Sequence, residues 1–102
     1  MSAYVIMDVE IFDIGQYMQF MQRVRPLIEQ WGGRYLARGG EFRVYEGDYE
    51  PRRLVVLEFP SLDEWDQFYL SDEYQTLKPL RDQCSHSRLV AVNGCEAQIL
   101  KT

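Results

Sequence analysis

Histidine, cysteine and lysine are all scarce in this chain, and each scarcity removes a class of function. His86 is the only histidine, Cys84 and Cys95 are the only cysteines, and no HExxH, HxxxH or paired Cys/His spacing occurs. A zinc or haem site therefore lacks its ligand set, and neither metal nor cofactor is expected. Nucleophilic catalysis through cysteine and histidine is equally unsupported: Cys84 and His86 are two positions apart, and i, i+2 side chains on a helix do not face each other. Lys78 and Lys101 are the only lysines; the rest of the 11 basic residues are arginine, set against 16 acidic ones for a net charge of −5. An acidic chain without a basic cluster repels phosphate backbones, which argues against nucleic acid as a partner. No GxGxxG or GxxxxGK run supports nucleotide binding. No apolar stretch approaches the roughly 20 residues that span a bilayer, so no membrane role is expected.

What remains is ordinary globular material. The 102 residues are 46% apolar, 26% charged and 14% aromatic, enough for one domain with a single core. Met1-Ser2-Ala3 leads directly into a strand-like segment, without a basic region, a long apolar run or a cleavage site. The expectation is a cytoplasmic protein with both thiols reduced.

Periodicity then lays out the elements. Ala3 to Glu10 alternates as a strand, with Ala3, Val5, Met7 and Val9 on one face and Tyr4, Ile6, Asp8 and Glu10 on the other. Asp13 caps a helix, with Gln16 in capping-box position. Its apolar stripe runs Ile14, Tyr17, Met18, Met21, Val24, Ile28, Trp31; Pro26 bends it and Gly32-Gly33 ends it. Arg34 to Arg38 is a second strand, Gly39-Gly40 a bulge or turn, and Phe42 to Glu46 a continuation in extended form. After a loop over Gly47 to Arg52, Arg53 to Phe59 is a strand that is apolar on both faces, Leu54 and Val56 opposite Val55, Leu57 and Phe59. Ser61 with Glu64 opens a helix carrying Leu62, Trp65, Phe68 and Tyr69. Ser71 breaks it, Tyr74 to Leu77 adds a turn, and Pro79 starts a short helix to about Ser85. Ser87 to Val92 is the final strand, with Asn93-Gly94 as its turn.

This order is βαββαβ: an α+β, ferredoxin-like antiparallel sheet with its helices on one face, formed by residues 1–94 and followed by a tail over 95–102. One helix layer covers one sheet face. Ile6, Leu54 and Val56 on the other face would form an exposed apolar patch, and a second copy of the chain is the simplest cover. The expected partner is therefore the protein itself, as a homodimer.

Three runs carry a likeness to a known family: GGRYLARGGEFRVYEGDYEPRRLVVLEFPSLDEW, FYLSDEYQTLKPLR and SRLVAVNG. Across residues 3 to about 94 the chain resembles a bacterial domain-of-unknown-function family, number thirteen-thirty. That family is similar to the dimeric α/β-barrel superfamily, in which two ferredoxin-like sheets face each other. The resemblance implies this fold and a dimer. The wider superfamily holds cofactor-free monooxygenases, isomerases, haem enzymes and non-catalytic binding domains, so it leaves the activity open.

Charged residues among apolar strand neighbours are the candidate ligand-facing groups. Asp8, Glu10, Glu58 and Arg38 are placed on the sheet face that a partner would cover. There they either form an ion-pair network that fixes dimer register, or line a cavity with a carboxylate poised as base. Arg38 or Arg81 would hold an anionic group and Tyr69 would donate a hydrogen bond, making Asp8, Arg38, Glu58, Tyr69 and Arg81 the ligand-binding candidates. The function expected is that of a small homodimer binding a small organic metabolite in a cavity beside its sheet. The alternatives are a cofactor-independent oxygenase or isomerase acting on a small acidic or aromatic metabolite, and a purely structural or accessory dimer.

Overall fold

Apolar strand faces and two sharp helix starts build the architecture. The computed structural model describes residues 1–95. β1 (Ala3–Ile11), α1 (Ile14–Gln30), β2 (Arg34–Arg38), β3 (Leu54–Phe59), α2 (Leu62–Leu70), α3 (Asp72–Cys84) and β4 (Ser85–Asn93) follow in order. The strands form one sheet in the order β2-β3-β1-β4, with every neighbouring pair antiparallel. The expected α+β ferredoxin-like fold is present, with the second helical segment divided in two. The tail residues Ala97, Ile99 and Leu100 lie outside the described residues.

Register decides which side chains share a face. Val5 pairs with Leu57 and Ala91, and Met7 with Val55 and Leu89, on the side the helices cover. Ile6 pairs with Val56 and Val90, and Asp8 with Leu54 and Arg88, on the side left open. Val5, Val9, Val55, Leu57 and Phe59 pack with Tyr17, Phe20, Val24 and Ile28 of α1 and with Trp65, Phe68 and Tyr74 of α2 and α3. The aromatic rings meet tilted or edge-on, Phe59 to Trp65 at 5.3 Å and Phe68 to Tyr74 at 4.9 Å between centres, geometries that add to their area burial. At Gly33 a Cβ would come within 2.6 Å of the Phe59 ring, so glycine lets the chain leave α1 flush against the core.

Asp13 accepts from the Gln16 backbone N–H at 3.1 Å and Ser61 from that of Glu64 at 3.0 Å, as their capping positions require. Ser71 does two jobs. Its Oγ donates to the Phe68 carbonyl at 2.7 Å and accepts from the Tyr74 N–H at 3.1 Å, ending α2 and starting α3.

Several local expectations are corrected. Pro79 does not start a helix: it lies inside α3, which continues through it. The buried side chains of Tyr74, Arg81 and Cys84 hold both halves of α3 to the core, at the cost of one backbone hydrogen bond. The α1 helix also runs through Pro26, as the stripe from Ile14 to Trp31 required. Ile14 and Met18 are exposed, and Phe20 takes the place in the α1 core stripe that they were assigned. Phe42 to Glu46 is not a strand but part of an exposed loop between β2 and β3, since no neighbouring strand offers it a ladder. The bulge falls at Leu36, between the Tyr35 and Ala37 pairings, rather than at Gly39-Gly40.

Candidate functional site

Two of the concavities beside the sheet are chemically opposite. On the helix side, a cavity of about 30 Å³ lies between Met7, Val55 and Leu57 of the sheet, Tyr17, Met21 and Val24 of α1, Tyr35, Trp65 and Tyr74. That is room for a water or two. Among the described residues no carboxylate, imidazole, thiol or amine lines it.

Its polar features are phenols. Tyr74 accepts a hydrogen bond from Arg81 Nη1 at 2.6 Å. Burial is the main cause that pushes the Tyr74 hydroxyl up to about 12 and the Tyr35 hydroxyl to about 12, and it raises that of Tyr17 against the pull of Arg53 and Arg81. All three therefore stay protonated donors at neutral pH. Arg81 is only 5% exposed. Its Nη2 lies 3.5 Å from Asp82 Oδ1, and its Nε is buried without a partner. The Arg53 guanidinium stands 5.8 Å from the Tyr17 ring centre, presses against Gly39, and also has a buried, unpartnered Nε.

On the open side, a hollow of about 610 Å³ runs between β1, β4 and the β2–β3 loop, lined by Asp8, Glu10, Tyr49, Arg52, His86 and Arg88 among others. Asp8 organises it. Its carboxylate accepts from the Tyr49 hydroxyl at 2.6 Å and from the Arg52 and Arg53 backbone N–H groups at 2.8 and 3.4 Å. Partial burial pulls the Asp8 carboxyl upward, but those hydrogen bonds and the Arg88 charge outweigh it and hold the group below the ordinary range. Glu10 meets Arg52 at 3.7 Å. His86 pairs across the ladder with Glu10 and packs edge-on against Phe12 at 4.8 Å.

The candidates picked from the sequence divide between these places. Asp8 and Glu58 share the open face, but they sit four positions apart along the β1–β3 ladder, roughly 13 Å. Glu58 is held by Arg34 at 2.6 Å, which lowers its pKa more than partial desolvation raises it. Arg38, expected on that same face, pairs with Val55 and so lies on the helix side, its guanidinium 4.9 Å over Tyr35. The cause is the Leu36 bulge: one extra residue reverses the alternation for the rest of β2. Tyr69 and Arg81 are also on the helix side and come together through Tyr74, whose ring lies 5.3 Å from that of Tyr69. Sequence reasoning missed Arg53, Tyr17 and Tyr49. Arg53 was findable, since it shares parity with Val55, Leu57 and Phe59. Tyr49 had no periodic signal, because it lies in a loop.

Residues 2–95 match the model of the family described as Domain of unknown function (DUF1330). The chain belongs to that family. Solved structures similar to this DUF1330 chain share its fold at low identity. A protein of unknown function from Rhodopseudomonas palustris is 16% identical with a TM-score of 0.72, over 93% of this chain and 83% of that one. A dimeric ferredoxin-like protein of unknown function from Jannaschia sp. CCS1 is 14% identical with a TM-score of 0.68, over 92% of this chain and 100% of that one. SnoaB, a cofactor-independent oxygenase from Streptomyces nogalater, is 8% identical with a TM-score of 0.65, over 94% of this chain and 95% of that one. No curated protein matches the sequence. Among the described residues of this DUF1330 chain, no helix is long and apolar enough to cross a membrane, and no cluster of His, Cys, Asp or Glu could hold a metal ion.

Proposed function

We propose that this DUF1330 protein is a homodimer that binds a small organic molecule, without transforming it, in the cavity between its sheet and its helices. The observation that carries the reading is the lining: aromatic and apolar groups with phenol donors, and no acid or base. Ligand sites combine an apolar wall with a few placed polar groups in this way. As it stands the cavity holds a water or two, so binding requires Met7 and Met21, whose unbranched thioethers turn aside at low cost, to open it around the ligand.

The open face supports the dimer. Ile6, Val90 and Val92 are exposed side by side, flanked by Leu54 and Val56, and the ferredoxin-like relative from Jannaschia is dimeric. Asp8, Glu10, Arg34, Glu58 and Arg88 ring this patch, and in our reading they set the register of the two copies. Asp8 suits that role better than a base's, because its hydrogen bonds favour the ionised form over proton uptake. The unpaired thiols of Cys84 and Cys95 support a cytoplasmic location.

A thermal-shift screen against small aromatic and acidic metabolites tests the binding, and sedimentation tests the dimer. Hits lost in Met21→Phe, which fills the cavity, but kept in Asp8→Asn bear the reading out. Hits lost only in Asp8→Asn move the ligand to the open-face hollow. The second reading, a cofactor-independent oxygenase, is favoured by the fold shared with SnoaB; oxygen consumption on adding a hit compound would establish it in place of simple binding.

A further inference from the structure

The connection between β2 and β3, residues 39–53, contains no helix or strand. A structureless connection of that length is uncommon in a compact domain and usually has a use of its own. Both ends are fastened. The Gly39 N–H donates to the Leu54 carbonyl at 2.8 Å, and Asp8 accepts from the Tyr49 hydroxyl at 2.6 Å and the Arg52 N–H at 2.8 Å. The middle is not. Among the described residues, none of residues 40–52 shares a backbone–backbone hydrogen bond. Yet residues 42–46 read FRVYE, rich in strand-forming types, and Phe42, Val44 and Tyr45 are 38, 45 and 84% exposed.

The sheet has the complementary lack at one edge. Of its two outer strands, β2 is five residues long, is interrupted by the bulge at Leu36 and carries Arg34 and Arg38 at its ends. Shortness, bulges and charge are devices that keep other strands away. β4 is longer and smoother. It runs nine residues in unbroken register with β1, contains no proline, glycine or lysine, and is paired on that side alone. Its outward N–H and C=O groups form a free ladder. One chain therefore holds a strand-patterned segment without a ladder and a ladder without a strand.

We propose that residues 42–46 of each copy pair antiparallel with the outer edge of β4 in a second copy, setting Phe42 opposite Val92, Val44 opposite Val90 and Glu46 opposite Arg88. This rests on the reading that the protein is a homodimer, and it names a contact that holds the copies together. The side chains select the register. Phe42, Val44 and Glu46 alternate onto one face of the segment, as Arg88, Val90 and Val92 do onto the open face of β4. The antiparallel match gives an aromatic–branched pair, a branched–branched pair and an opposite-charge pair, the combinations that stabilise neighbouring strands. A parallel match would set Phe42 against Arg88 and Glu46 against Val92. Among the described residues, neither Glu46 nor Arg88 is within ion-pair distance of an opposite charge, whereas Arg43 already meets Glu41 at 3.4 Å. The exchange is reciprocal, as a two-fold dimer requires, and backbone ladders of this kind are a common mode of recognition.

The test is disulfide trapping between copies of the full chain. Val44→Cys and Val90→Cys are made separately on a Cys95→Ser background, mixed, oxidised mildly and run on a non-reducing gel. Directly opposed antiparallel residues have Cα atoms about 4.5–5.5 Å apart, within disulfide reach. The expected result is a covalent dimer from the mixture, several-fold more than from either variant alone or from Arg43→Cys mixed with Val90→Cys. All three positions lie on exposed residues or in the connection, and sedimentation of the same samples reports the non-covalent dimer. A dimer in sedimentation without the covalent product would overturn the pairing and leave the dimer standing. Equal product from the Arg43→Cys mixture would also overturn it, by showing contact without register. A disulfide formed within monomers of the Val44→Cys, Val90→Cys double variant, with none between copies, would overturn it by placing the segment on its own β4. Monomers at every concentration would overturn both the pairing and the homodimer beneath it.

Discussion

On the helix side of the sheet, Val5, Val55, Leu57 and Phe59 are 0 to 3% exposed, whereas Ile6, Val90 and Val92 on the opposite side are 39, 59 and 50% exposed. β1 contributes to both sets from alternate positions, β3 adds to the first and β4 to the second. The residue types hardly differ; what differs is the layer above them. α1, α2 and α3 lie over one face, and among the described residues nothing lies over the middle of the other. The charges divide along with the layers. The hydrogen-bonded carboxylates Asp8 and Glu58 sit at the margins of the open face, where water reaches them, while the guanidinium of Arg81 is sealed within the helix side. The lesson is that a strand apolar on both faces calls for two layers of cover, and the described residues provide only one.

The contrast can be broken most forcefully at Phe59. Phe59→Ala removes a ring packed on Trp65 and Phe68 and should cost about 3–5 kcal/mol in urea denaturation. Val90→Lys on the open face should leave the fold of the single chain almost unchanged, within about 0.5 kcal/mol. It should instead weaken the proposed dimer by a factor on the order of 100, roughly 2.7 kcal/mol, read by sedimentation at micromolar concentration. Ser71→Ala strips the shared cap of α2 and α3 on the helix side, and a loss of about 1 kcal/mol in the same denaturation assay is expected.

The smallest effect sharpens the comparison by pH. The Asp8 carboxyl has a lower pKa folded than unfolded, so the stability it contributes is present above the unfolded value of about 3.9 and lost as pH falls through the lower folded value. Wild type should therefore lose its advantage over Asp8→Asn as pH drops below roughly 4. Denaturation midpoints of the two proteins from pH 7 to pH 3 would show it; a constant gap across that range would mean that the carboxylate is not held by these bonds.

Much of this architecture was legible in the residues. The alternation of Ala3 to Val9 named the buried face of β1, Asp13 and Ser61 marked their helix starts, and the both-sided apolar run of β3 pointed to a central strand. Pro79 misled, because proline's local preference for a helix start was outweighed by core packing on both sides of it. Phe42 to Glu46 misled because alternating residues indicate a strand only where a neighbour supplies the ladder. The sequence singled out Asp8, Glu58, Tyr69 and Arg81 as candidates but did not show how they are grouped in space. Asp8 and Glu58 turned out to be separated along the ladder, and Tyr69 and Arg81 to meet through Tyr74 on the far side of the sheet.

The sequence by itself determined the order of elements, the faces of β1 and β3, and the family, because these rest on local periodicity, capping chemistry and motif order. Only the tertiary structure decided which charges share a space. A single extra residue at Leu36 carried Arg38 to the other face, and the packing of α3 beside α1 set Tyr74, with Arg81 bonded to it, in the wall of the cavity that Tyr17 also lines. Both are matters of register and of which helix lies beside which. They are set by contacts between residues distant in the chain, on which local periodicity carries no information.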